Sequence, residues 1–200
     1  MTLIRDYIPF EITPQQITES ISKNDGRLIV KGVMQRAEAF NYNGRRYPRP
    51  ILEREFKRYL DNEIKERRAL GELDHPNSEV VNLNNASHNV LEMHWEGNDL
   101  VGTIEVLSTP SGNILRELFK AGIKLGISSR GTGSVRTLDE QGHVEVEDDF
   151  NLVCFDFVSS PSTIGAYMAP GSLNESVNNT NTNKYKNIDR IITEIISDFK

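Results

Sequence analysis

The sequence predicts a β-rich α+β domain, and three observations carry that reading. Short apolar segments, alternating or continuous, recur at close spacing between Arg27 and Val158. Two of the gaps between them have hairpin-turn composition, Gly97-Asn98-Asp99 and Asp139-Glu140-Gln141-Gly142. Only two or three segments place their apolar side chains at helical spacing. Strands that outnumber helices in this way point to α+β layering, and a closed barrel is one arrangement open to such a strand set.

Each element has its own warrant. Thr13-Pro14 supply an N-cap and a first helical residue, and Asn24-Asp25-Gly26 close the short helix that follows. Arg27 to Ala37 is rich in Leu, Ile and Val and reads as a strand. Asn41 to Pro48 contains an Asn-Gly turn signal and reads as a loop. Ile51, Leu52, Phe56, Tyr59, Leu60 and Ile64 recur at helical spacing, which predicts one amphipathic helix from Arg49 to Arg67 with a solvated charged face.

Leu70 to Asn77 is turn-rich and carries His75 at its tip, where Pro76 disfavours helical geometry and stiffens the chain. Asn89–Trp95 and Leu100–Leu107 alternate apolar and polar residues, as a hairpin with one buried face does. Ser111 to Lys120 reads as a helix with Ile114, Leu115 and Leu118 inward and Gly122 as its stop. The apolar run Ile123 to Ile127 is a strand that leads into Ser128-Ser129 and the glycines at 131 and 133. Phe150 to Val158 is a long apolar strand interrupted by Asp156.

Composition bounds the function. Two hundred residues suit one domain. A net charge of -6 speaks against a nucleic-acid binder, whose footprint is a basic patch. A single cysteine, Cys154, excludes an internal disulfide and fits a reducing cytoplasm. No window approaches a membrane span and Met1 to Asp6 lacks signal-peptide character, so a soluble intracellular protein without membrane contacts is expected.

The composition changes near Gly171. Residues 1–171 read as the folded domain, 172–187 as an Asn/Ser/Thr-rich flexible linker, and 188–200 as an amphipathic helix striped with Ile188, Ile191, Ile192, Ile195, Ile196 and Phe199. That terminal helix either docks on its own domain or meets a partner.

None of the four histidines stands at a metal-ligand spacing, and a metallohydrolase built on His75 with Glu72 and Asp74 has the wrong spacing too, so no metal or other cofactor is expected. His88, His94 and His143 read as ordinary polar positions. Gly126-Ile127-Ser128-Ser129-Arg130-Gly131-Thr132-Gly133-Ser134 puts a hydroxyl at the end of a strand, ahead of a turn with free backbone amides. That combination offers a nucleophile beside an oxyanion site. A serine needs a base and the base needs an orienting carboxylate, roles open to His75 and Asp156. A carboxylate in an apolar strand is either paired or faces solvent, and the alternation Phe155-Asp156-Phe157 permits both.

Five blocks carry a family resemblance: Val30 to Glu38, Asn43 to Pro48, Leu70 to Pro76, Trp95 to Asp99 and Gly126 to Ser134. In that order they resemble the prohead core proteases of T-even-type tailed bacteriophages, over about Arg27 to Ser134, with weaker similarity through Asp156 to Pro161. The resemblance implies a fold similar to the herpesvirus assemblins, a β-barrel wrapped by helices. It implies a serine endopeptidase at work inside the procapsid in the host bacterial cytoplasm. Scaffold or core proteins and the major capsid protein would be its substrates, and a homo-oligomer is expected. By motif match His75 is the general base and Ser128 the nucleophile, with Asp156 where the herpesvirus enzymes use a second histidine. The backbone amides of Ser129, Arg130 and Gly131 are the candidate oxyanion donors, helped by the Arg130 charge.

Family cleavage sites look like Leu or Ile, any residue, then Glu. Leu173-Asn174-Glu175 fits at the mouth of the linker, so self-cleavage after Glu175 is expected. An acidic residue at the cut calls for a cationic pocket, for which Arg45, Arg46 and Arg130 are candidates. A non-catalytic core component that kept the fold is the competing expectation, against which an intact His75 and Ser128 speak.

Overall fold

A computed structural model describes residues 13–173. Its helices are α1 (Pro14–Lys23), α2 (Arg49–Tyr59) and α3 (Pro110–Lys120). Its strands are β1 (Leu28–Arg36), β2 (Arg45–Arg46), β3 (Leu70–Glu72), β4 (Ala86–Glu96), β5 (Asp99–Val106), β6 (Gly126–Thr132), β7 (Val135–Thr137), β8 (Val144–Val146), β9 (Asn151–Val158) and β10 (Ala169–Pro170). The α+β class holds.

Helix α1 begins at the cap the sequence places there, Thr13. Thr13 and Gln16 form a reciprocal capping box at α1, and the Thr109 side chain accepts the Gly112 amide at α3. Helix α2 is shorter than the predicted Arg49–Arg67 span. Its α-helical bonding ends at Tyr59 and a single π-helical turn, Leu60–Ile64, completes it. The apolar stripe continues through that turn, so side-chain spacing alone does not reveal the change.

The largest sheet is antiparallel in the order β10-β1-β5-β4-β3, with the β4–β5 hairpin turning at Gly97 as its turn composition predicts. A second sheet has the order β2-β8-β7, and β6 pairs with β9 alone in a third. One closed barrel is therefore not formed. The third sheet meets the first through isolated bridges, Leu73 to Phe157 on one side and Gly126 to Tyr167 on the other. The segments beside those bridges, β3 and β10, are three and two residues long, too short to carry a full ladder.

Two sequence expectations change around the site. Leu70–Glu72 is a strand rather than a turn, at a length where periodicity has no signal. Its Gly71 is required by packing, because a Cβ there would stand 1.9 Å from the Phe155 carbonyl oxygen and 2.4 Å from His88 Nε2. The strand expected over Ile123–Ile127 begins instead at Gly126 and runs through both serines to Thr132. Cross-strand pairing with β9 defines it, and hydrophobicity does not: Ile123 is exposed.

Alternation along β6 and β9 then divides core from site. Ile127 pairs with Phe157 in the core, where Phe157 packs edge-on against Phe119 of α3 and Phe155 against Tyr59 of α2. Each such fully buried side chain contributes about 1.5–3 kcal/mol. The residues between them, Ser128 and Asp156, face the other way.

Candidate active site

Ser128 of β6 and Asp156 of β9 are register partners, so their side chains leave the sheet on one face as immediate neighbours. Both are buried, Ser128 at 5% exposure and Asp156 at 0%. Of the two readings open to Asp156, the paired one holds.

His75 reaches the same face from the segment after β3. Leu73 bridges to Phe157, and the Asp74 amide donates to the Phe157 carbonyl at 2.8 Å, which ties the segment to β9. Asp74 then takes a left-handed backbone conformation, φ 70°, one that Asp tolerates better than most residues. Its carboxylate accepts the His75 amide at 2.9 Å. The turn delivers His75 Nδ1 to within 2.7 Å of Asp156 Oδ2. A hydrogen bond from Nδ1–H to the carboxylate leaves Nε2 with its lone pair, the tautomer a base requires.

Asp156 is held by four further donors. Arg130 Nε lies 2.8 Å from Oδ2 and its Nη2 3.2 Å from Oδ1, the Glu72 amide donates to Oδ1 at 3.0 Å, and the Cys154 thiol at 3.3 Å. Burial alone would raise the Asp156 pKa, but the hydrogen bonds from His75, Arg130 and the Glu72 amide hold it below the ordinary carboxylate range. Burial beside that charge pushes the Cys154 thiol well up, so it stays protonated and inert. Arg130 also binds Glu72 Oε1 at 2.9 Å and the Ser78 carbonyl at 2.6 Å. Its guanidinium is thus directed at the acids, and the carboxylates raise its pKa although burial opposes them.

The two serines part company. Ser128 Oγ lies 3.2 Å from Ser162 Oγ, whereas Ser129 Oγ accepts from Gln35 Nε2 at 2.8 Å. Gln35 is fixed in turn by Thr163, whose hydroxyl donates to Gln35 Oε1 at 2.6 Å. The Ile127 amide donates away from β9, to the Ala166 carbonyl. Ladder alternation therefore turns the Ser128 and Arg130 amides toward β9 and the Ser129 amide outward. Ser128 and His75 both line an open cleft of about 460 Å³, with Tyr47, Phe150 and the Gly131–Ser134 backbone on its walls.

A serine, a histidine paired through Nδ1 to a buried carboxylate, and an outward amide beside the serine suit acyl transfer. Residues 10–178 match the family described as prohead core protein serine protease. The chain belongs to that family.

The prohead protease family includes a relative in Enterobacteria phage T4, the prohead core protein protease, which is 36% identical over 152 residues, covering 74% of this chain and 71% of the relative. The solved structure of the bacteriophage T4 capsid assembly protease, gp21, superposes with a TM-score of 0.62 at 34% identity, covering 65% of this chain and 80% of that one. The chain is accordingly a phage prohead protease, of the serine class by its family.

The remaining sequence candidates fall as follows. Arg46 is bound to Glu145 and stands over the Phe40 ring. Arg45 lines the cleft. His88 is fully buried, bonded to the Phe155 carbonyl and Ser87, and burial lowers its pKa to about 4. His94 pairs with Glu96 and His143 with Asp139, both partly exposed. No group of three potential metal ligands occurs among the described residues, and no helix there is long and apolar enough to cross a membrane. Glu175, most of the 172–187 linker and the 188–200 helix lie outside the described residues. Sequence reasoning did not single out Gln35, Ser162 and Thr163 of the prohead protease, since single polar residues in strands and loops carry no periodic or spacing signal.

Proposed function

We propose that this prohead protease is a serine endopeptidase in which Ser128 is the nucleophile, His75 the general base and Asp156 the acid that orients it. As a peptide enters, Ser128 Oγ exchanges its Ser162 partner for His75 Nε2. The Oγ proton passes to Nε2, the Oγ–carbonyl carbon bond forms, and the oxyanion is met by the outward Ser129 amide, with the Gly131 amide as second donor. His75 then returns its proton to the leaving amine as the C–N bond breaks. A water, deprotonated by the same Nε2, releases the acyl product. Arg130, committed to Asp156 and Glu72, keeps the acid ionised and in place and does not face the oxyanion.

The substrates are scaffold or core proteins and the major capsid protein of the procapsid, cut inside it after Glu in Leu/Ile-x-Glu sites. The chain also processes itself after Glu175 and sheds the 188–200 tail. The strand set is an interrupted barrel of the assemblin kind, a reading supported by the bridges that link the first and third sheets. The observation that carries the mechanism is the 2.7 Å contact between His75 Nδ1 and Asp156 Oδ2 beside a Ser128 in register with that same acid.

The test is the intact mass of the full chain and of its Ser128→Ala form after incubation at high concentration. Loss of the segment after Glu175 in the parent alone is the expected result. Trimming of both forms would remove Ser128 from its role. If both forms stay whole even when mixed with core proteins, the protein would be a core component without catalysis.

A further inference from the structure

The cleft that holds Ser128 and His75 contains no Asp or Glu among its lining residues, but it contains two arginines. Arg130 is one, and its guanidinium is fully engaged by Asp156, Glu72 and the Ser78 carbonyl. Arg45 is the other, and its situation differs. Its neighbour Arg46 alternates to the opposite side of β2 and meets Glu145, so the chain separates one neutralised arginine from one directed into the cleft.

The base of Arg45 is fixed. Its amide donates to Asn41 Oδ1 at 3.0 Å, the same oxygen takes the Asn43 amide at 2.9 Å, and Arg45 pairs with Val144 of β8. Its tip is not. Nη1 makes a long 3.4 Å contact with the Tyr47 hydroxyl, and Nε is buried without a hydrogen-bond partner among the described residues. No carboxylate pairs with the Arg45 guanidinium among the described residues, although it lines the same cleft as Ser128. With Nη1 turned to Tyr47 and Nε enclosed, Nη2 is the guanidinium group left to meet a ligand from the cleft. Its N–H groups offer a carboxylate charge-assisted hydrogen bonds.

We propose that Arg45 is the specificity-determining residue for an acidic side chain at the scissile position, its Nη2 end binding the carboxylate of the Glu whose carbonyl Ser128 attacks. Tyr47 steadies the guanidinium from behind, and Phe150, packed edge-on against Tyr47 at 5.4 Å, gives the carboxylate a wall that excludes water. This inference rests on the Glu reading given under Proposed function and assigns it to one side chain.

Peptides that differ only in Glu, Gln or Lys at the cleaved position test it, through kcat/KM for the full chain and for Arg45→Ala and Arg45→Glu. The parent is expected to favour Glu over Gln by roughly 100-fold or more. Arg45→Ala is expected to collapse that ratio toward unity, and Arg45→Glu to place Lys above Glu. A parent with no preference for Glu overturns the Glu reading and this inference with it. A parent that prefers Glu, with an Arg45→Ala variant that keeps the ratio, overturns Arg45 alone. Calorimetric binding of product peptides ending in Glu or Gln to Ser128→Ala and to Ser128→Ala/Arg45→Ala gives the same discrimination without turnover. An unchanged Glu/Gln binding ratio there likewise removes Arg45.

Discussion

Ser128 and Asp156 stand directly opposite one another across β6 and β9. Directly opposed residues of an antiparallel pair hold their Cβ atoms about 5 Å apart. The sheet register alone therefore sets the span between them, and His75 enters from a third segment tied to the same β9. The relation of Ser128, His75 and Asp156 is thus built into backbone pairing, which constrains what substitutions do.

Ser128→Ala is expected to reduce kcat by at least about a thousandfold, and Ser129→Ala by less than about tenfold. The two hydroxyls point to opposite faces, and that of Ser129 is taken by Gln35. Peptide hydrolysis by both variants measures the difference, and equal losses would contradict the assignment of the nucleophile.

Asp156→Asn is expected to lower kcat by roughly 10³–10⁴, because an amide facing His75 Nδ1 no longer selects the tautomer with a basic Nε2. The loss should shrink as pH rises above the imidazole range, where hydroxide takes over the base's task. A pH–rate profile of the variant beside the parent checks it.

Arg130→Met is expected to destabilise the fold by about 3–5 kcal/mol, since it strands the buried Asp156 and Glu72 carboxylates without their counter-charge. Thermal melting should show a drop on the order of 10 °C. The sign with pH follows from Asp156, whose folded pKa is lowered. Its stabilising contribution is present above the ordinary value of 3.8 and is lost as pH falls through the lower folded value. The penalty of Arg130→Met should therefore shrink in acid.

His88 sets a second pH limit. Its pKa falls from 6.5 to about 4 because burial disfavours the charged ring. Below pH 6.5 the unfolded chain takes up a proton that the folded chain refuses, so stability declines between pH 6.5 and 4, by on the order of 3 kcal/mol in all. Denaturant melts across that range, with His88→Gln as comparison, should show a flatter profile for the variant.

Excess chelator is expected to leave peptide hydrolysis unchanged, as the mechanism routes no step through a metal. Inhibition that zinc or magnesium reverses would revive a hydrolase built on His75, Glu72 and Asp74.

Much of the scaffold was legible because its signals repeat. The β4–β5 hairpin has a turn signal between two long apolar-rich strands and α3 has its stripe and Gly122 stop, so each announces itself more than once, although both hairpin faces are buried over 86–90 and 102–106 and Ile114 is exposed. The elements that position the site do not. β2 and β3 are two and three residues long, and β6 is a strand through pairing alone. Ser128, His75 and Asp156 could be proposed from residue type and family motif. That Asp156 is enclosed by Arg130, Glu72 and Cys154 could not, because those contacts join residues 72, 130, 154 and 156 through tertiary packing.

The attachment of His75 to β9 has a bearing on how the chain is made. Among the described residues, β9 is the last long strand to leave the ribosome, after His75 and Ser128 have emerged. Until Asp156 docks, the histidine has neither its anchor at Phe157 nor its orienting carboxylate, and β6 lacks its pairing partner. On the roles proposed above, a chain that ends before β9 carries the serine and the histidine without the carboxylate and the strand that hold them together.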